Sequence, residues 1–211
     1  MALLHRADLT PTKLELLAGW LPGRPWFAGP PEAEVTRVSA FRFDDPAGAV
    51  GLETMLVRAG DGPVLQVPLT YRDAPLAGAE EWLIGTTEHS ALGRRWVYDA
   101  CGDPVYAAVL ARVIHAGGTQ AEEYFEVDGR RETRAPAMTV SGSGTGDAPV
   151  PAVGKVHRVV DEDPTVIVTD DVELAVLRRL GTSQRVTGPV LTGMWGDEPL
   201  PVPLAYATPP Q

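Results

Sequence analysis

Cysteine occurs once in this chain, at Cys101. A single thiol excludes an intramolecular disulfide and any zinc site of several thiolates, and it fits a reducing cytoplasm. No stretch reaches the roughly 18 uninterrupted apolar residues of a membrane span. Residues 1–8 lack the long apolar run of a signal peptide. Positive charge is also scarce: 18 Lys and Arg face 28 Asp and Glu, for a formal net charge of -10 and a pI near 4.8. Phosphate backbones recruit cations, so nucleic acid is excluded as a partner, and an anionic membrane surface is disfavoured. His5, His115 and His157 have no metal-ligand spacing. Asp44-Asp45, Asp161-Glu162-Asp163 and Asp170-Asp171 lack calcium-loop spacing and read as solvated acidic turns. The expectation is a cytoplasmic protein without metal or cofactor.

An apolar content of 44% over 211 residues is enough for one domain or two small ones. Thr10-Pro11 predicts a helix start, with Leu14, Leu17, Ala18 and Leu21 on one face and Pro22-Gly23 as the stop. From Val35 the period becomes two. Phe41 and Phe43 flank Arg42, residues 52–57 form a nearly continuous apolar strand, and Leu65, Val67, Leu69 and Tyr71 alternate with Gln66, Pro68, Thr70 and Arg72. Pro68 places that last strand at an edge or a bulge. Asp103-Pro104 then opens a second helix, with an apolar stripe from Val105 to Ile114 and a Gly117-Gly118 stop.

Beyond it the chain reads as β-rich, with strands near 124–127, 156–160, 166–169 and 172–180 and a hairpin over 188–206 that turns at Gly196-Asp197. Asp128-Gly129 marks another tight turn. Residues 141–149 are a flexible loop by composition. The organisation expected is a region 1–118 and a β-rich region 119–211. The fold class is α+β: a helix packed on a curved antiparallel sheet, followed by further strands.

Several motifs carry a family resemblance: Trp20-Leu21 with residues 24–29, residues 66–72, residues 85–99, and the Asp103-Pro104 helix. In that order they resemble the N-terminal cap domain of actinobacterial maltokinases, and more closely still free-standing proteins of that cap type. The resemblance implies a cystatin-like cap followed by a region similar to the intermediate subdomain of a kinase N-lobe. Residues 174–180 resemble the maltokinase strand that carries the nucleotide-binding lysine, whose position here is Ala175. An alanine methyl cannot pair with ATP phosphates. The acidic stretch 160–170 would repel a triphosphate, and the length beyond it leaves no room for a catalytic lobe. The implied role is a non-catalytic accessory or regulatory module linked to α-glucan, maltose or trehalose metabolism, with a kinase or an α-glucan enzyme as protein partner. The alternative is a carbohydrate- or nucleotide-binding module with a vestigial pocket.

Chemistry-bearing residues are few. Glu88-His89 could form an acid/base pair in a loop, but neighbours on a strand point to opposite faces. Ser90 lacks a nucleophile elbow, and Cys101 near a helix start is either activated or an inert semi-buried thiol. Arg94-Arg95 could clamp an oxyanion or pair internally with carboxylates. Trp195, at an expected hairpin tip, could stack on a sugar. The candidate interaction surface is therefore Glu88, His89, Arg94, Arg95 and Trp195, with no catalytic residue assigned.

Overall fold

The first helix begins at Thr12 rather than Thr10. In the computed structural model, which describes residues 2–3, 8–127, 130–147, 149–182, 186–196 and 200–210, α1 spans Lys13–Trp20. Thr12 and Glu15 form a reciprocal capping box that satisfies two backbone donors at once. Thr10 belongs instead to a short strand. The buried side of α1 carries Leu17, with Leu14 and Leu16 half-buried against the same cluster, and Leu21 follows just past its end. Ala18 faces out.

Most of the chain is antiparallel sheet. The first sheet contains β2 (Leu9–Thr10), β3 (Val35–Phe43), β4 (Gly51–Ala59), β5 (Leu65–Arg72), β6 (Leu83–His89) and β7 (Gly93–Asp99), in the order β2-β6-β7-β5-β4-β3. It curls into an open half-barrel with α1 against one face. The second sheet has the order β10-β14-β15-β13-β12-β11, formed by β10 (Met138–Gly142), β11 (Arg158–Val160), β12 (Thr165–Val168), β13 (Glu173–Val176), β14 (Val190–Trp195) and β15 (Val202–Thr208). Between the two in sequence come α2 (Pro104–Ala116), β8 (Glu123–Val127) and β9 (Arg130–Arg134). The last two join β1 (Ala2–Leu3) in a small third sheet. The expected turns at Asp128-Gly129 and at Asp197 lie outside the described residues, as does His5. Among the described residues no helix is long and apolar enough to cross a membrane.

β4 is buried on both faces, which is why its sequence is apolar almost throughout. Met55 and Val57 meet the α1 cluster. Leu52 and Leu56 meet a larger core, together with Phe41 and Phe43. That larger core holds the apolar face of α2 (Tyr106, Val109, Leu110, Ile114) and residues of the second sheet, including Val140, Leu174, Val176, Leu191 and Leu204. α2 starts and stops as its sequence predicts: Asp103 caps the Val105 N–H, and Gly117 ends it in the left-handed region.

β5 departs from expectation. It is an interior strand between β4 and β7, buried on both faces, not an edge. Gln66 and Pro68 point their backbone nitrogens to the same edge. Gln66 N–H donates to the Arg178 carbonyl at 2.8 Å, and pairing with β7 begins only at Leu69. Pro68 thus falls where the neighbour changes, and its missing donor leaves no gap in the ladder.

The glycine run also differs from a linker. Ser141-Gly142 belong to β10, and the amides of Gly142 and Gly144 donate to the carbonyls of Gly118 and Ile114, 2.9 Å each. These bonds satisfy carbonyls at and just beyond the C-terminus of α2 that the helix itself leaves open. His115, in that last turn, has its pKa lowered by burial. Burial thus favours the neutral ring there.

Candidate functional site

The residues expected to form one surface divide between two sheets. Glu88, His89, Arg94 and Arg95 come together on the β6–β7 hairpin, while Trp195 ends β14 in the second sheet, half-buried against the large core. At the hairpin, Glu88 and Arg94 face each other across the ladder and pair at 2.7 Å, both well exposed. His89 Nδ1 accepts the backbone amides of Ala91 and Leu92, at 3.2 and 3.1 Å, so it caps the turn. Ser90 is tied to Asp8 in both directions, its Oγ accepting the Asp8 amide and its amide donating to the Asp8 carbonyl. Arg95 donates to the Arg94 carbonyl at 3.4 Å. The tip presents Leu92, 44% exposed, beside these charges.

Burial and charge concentrate elsewhere, around Arg178. This side chain is fully buried just after β13. Its Nη2 donates to Asp99 Oδ2 at 2.6 Å and to Cys101 Sγ at 3.2 Å, its Nε donates to Thr165 Oγ1 at 2.7 Å, and its guanidinium lies 4.6 Å from the Trp26 ring centroid. Burial works against the charge. The nearby carboxylates, Asp99 foremost, more than offset it and keep the guanidinium protonated. Cys101 is completely buried, and that burial pushes its thiol well above the ordinary range despite Arg178 beside it. Burial thus favours the neutral thiol over the nucleophilic thiolate.

The acidic stretch expected to be solvated is drawn into the same network. Asp161 accepts the Trp26 Nε1–H at 2.7 Å and an Arg24 Nη1–H at 3.3 Å. Asp163 accepts the Arg178 backbone amide and the Arg179 Nε–H, both at 2.8 Å. Nearby, Arg72 forks onto Asp103 through two bonds of 2.8 Å while Asp103 still caps α2. Gln66 donates its side-chain amide to the carbonyls of Leu177 and Leu204, at 2.9 and 2.8 Å.

The motif segments of the first half are thus joined to one another and to the second half: Trp26 to Asp161, Gln66 to Leu177, Arg72 to Asp103, Asp99 to Arg178. Their segments coincide with a known family. Residues 20–103 match the family model of the maltokinase N-terminal cap domain. This segment is similar to that cap domain. The match spans less than half of the 211 residues, and α2 and the second sheet lie beyond it. Arg178, outside the cap, supplies the cation for the cap's buried Asp99. Sequence reading missed it, although two arginines inside an otherwise apolar run, residues 174–180, were a signal that one of them has a buried partner.

Another buried carboxylate ties α1 to the first sheet. Glu53, 6% exposed, accepts from Tyr71 Oη at 2.8 Å, pairs with Lys13, and lies 3.5 Å from Arg42 Nη2. Burial alone would raise its pKa, but Lys13 and Arg42 outweigh burial and lower it from 4.5 to about 2. The ionised form is then worth about 3 kcal/mol of stability. That contribution is complete above the unfolded value of 4.5 and is lost as pH falls towards 2. Urea denaturation should show Glu53→Gln weaker than the parent by about 3 kcal/mol at about pH 6, with the gap falling to less than about half of that by about pH 3 and closing only below about pH 2. An equal gap at both would show that Glu53 is not the titrating group.

Among the described residues no group of His, Cys, Asp and Glu is placed to hold a metal ion. His157 Nε2 and Asp170 Oδ1 are 2.6 Å apart on the surface, both about half exposed.

Proposed function

We propose that this chain is a non-catalytic accessory or regulatory module of α-glucan, maltose or trehalose metabolism, and that it docks a kinase or an α-glucan enzyme through the β6–β7 hairpin of its cap. The observation that carries this reading is the division of labour within the family motif. Its buried groups Asp99, Cys101 and Asp103 are engaged in internal bonds, while the hairpin turns Glu88, Arg94 and Leu92 outward and leaves Arg95 half-exposed. The second region is read as a relative of the kinase N-lobe. There Ala175, at the position of the phosphate-binding lysine, lies buried in β13 opposite Val166 and Tyr206. The alternative, a carbohydrate or nucleotide site, is an outcome of the same test.

The test uses purified chain with purified maltokinase, followed by sedimentation at low and high salt. A complex that weakens with salt is expected, since exposed charge is screened over about 10 Å at ~0.1 M. Arg94→Ala with Arg95→Ala should weaken it about tenfold while changing folding stability by less than about 1 kcal/mol, as exposed pairs contribute little. Turnover of ATP and maltose by the chain alone would overturn the non-catalytic reading. Calorimetric heat with ATP or maltose and no complex with the kinase would favour the ligand-binding alternative.

A further inference from the structure

A cleft of about 440 Å³ opens beside the start of α2. One wall is the connection between β5 and β6, with Leu76, Glu81 and Trp82; the other is residues 154–159; Gly102 and Pro104 at the start of α2 complete it. Its size is in the range of small-molecule sites. The apolar part is continuous, because Leu76 and Val159 pack against the cluster of Trp82 and Tyr98. Gly102 presses on the Trp82 ring so closely that a Cβ there would lie 2.1 Å from it, which fixes the indole in the wall.

The polar part is unusual for so acidic a protein. Lys155 and Arg158 both line the cleft, and among the described residues neither has a carboxylate within ion-pair distance, in a chain with 28 acids to 18 bases. Two nearby carboxylates are already engaged: Asp103 by Arg72, and Asp170 by His157 and the Lys155 backbone amide. Neither of these lines the cleft, though the Lys155 charge also acts on Asp170, and Glu81 is the carboxylate among the lining residues. The first turn of α2 also brings the positive end of a 13-residue helix to the same place.

We propose that this cleft binds a small organic oxyanion, with its carbon body on Leu76, Trp82 and Val159 and its charged end at Lys155 and Arg158. A carboxylate and a phosphate monoester share that chemistry. Neutral ligands gain nothing from the two cations, and a bare inorganic anion gains nothing from the apolar wall.

The experiment is an NMR titration of the full chain with benzoate, phenyl phosphate, inorganic phosphate and phenyl β-glucoside, following the Trp82 indole N–H and the Gly154 and His157 amides. Benzoate or phenyl phosphate should shift these signals, and the tighter of the two identifies the oxyanion. Lys155→Ala with Arg158→Ala should weaken binding about tenfold, the scale of a lost charge-assisted hydrogen bond. Glu81→Gln should strengthen it about threefold by removing a like charge. Both lysine and arginine are exposed, so the unfolding midpoint serves as the control for folding. The proposal fails if neither aryl anion shifts the signals, or if phenyl β-glucoside or inorganic phosphate does so as strongly. It also fails if the double variant binds like the parent.

Discussion

Arg178→Met should cost the protein about 3–5 kcal/mol of folding free energy, the range for stripping one partner from a buried ion pair. Asp99 is fully buried, and after the substitution its carboxylate keeps the Cys101 amide, 3.0 Å from Oδ1, and the Cys101 thiol, but no ion-pair partner among the described residues. Thr165 Oγ1 and the Trp26 ring lose their cation as well. The backbone amide and carbonyl of residue 178, which bind Asp163 and Gln66, are retained in any variant. The loss therefore reports on the side chain alone. Combining Arg178→Met with Asp99→Leu should recover a large part of it, since a buried apolar pair leaves no charge without a partner. Urea midpoints for the two single variants and the double variant form the cycle. A loss below about 1 kcal/mol for Arg178→Met would mean that water reaches Asp99 and that the two halves are not locked there.

Gly144→Ala should be nearly as damaging, at about 3 kcal/mol, the upper end for forcing extra volume into packed structure. A Cβ at that position would lie 1.8 Å from the His115 carbonyl oxygen and 2.2 Å from its carbon. These are backbone atoms at the end of α2. Moving away would break the Gly144 amide bond to the Ile114 carbonyl. Gly142 is in the same position, with its added Cβ 2.0 Å from the Val113 oxygen. Gly146 is the internal control, because nothing lies within 4 Å of its added Cβ. Gly146→Ala should change stability by less than about 0.5 kcal/mol, as surface substitutions usually do. Equal thermal midpoints for Gly144→Ala and Gly146→Ala would restore the reading of this run as a free linker.

Local signals in the chain were legible where one segment carried the whole message. α2 was written out by Asp103, Pro104, an apolar stripe and Gly117, all within fifteen residues or so, and the structure has it there. The nearly continuous apolar run of residues 52–57 foretold a strand, and the structure buries β4 on both faces. α1 was placed two residues early because Thr10-Pro11 and Thr12 both look like starts, and the capping box with Glu15 decides for Thr12. Pro68 misled for a related reason. A proline inside a strand argues for an edge unless the neighbouring strand changes at that residue, and the change depends on Arg178, 110 positions away in the chain.

The candidate surface was read partly from its strands. Glu88 opposite Arg94 follows from a short hairpin, so their pairing was within reach of sequence; the His89 turn cap was not, because it depends on the ring's angle to two amides. Trp195 was placed at a tip that could not easily be buried, yet it lies opposite Met138 on β10 and rests on the core.

By itself the amino-acid sequence determined the cap segment, the two helices and the predominance of antiparallel strands, because helix caps, apolar periods and motif order act over a few neighbouring residues. Only the tertiary structure decided that Asp99 meets Arg178, that Asp161 and Asp163 are drawn out of solvent, and that the glycines of 142–144 serve close packing rather than freedom. A carboxylate in a chain is acidic whether or not it is buried. Its partner is chosen by the long-range pairing of strands, which brings together residues that no local rule connects.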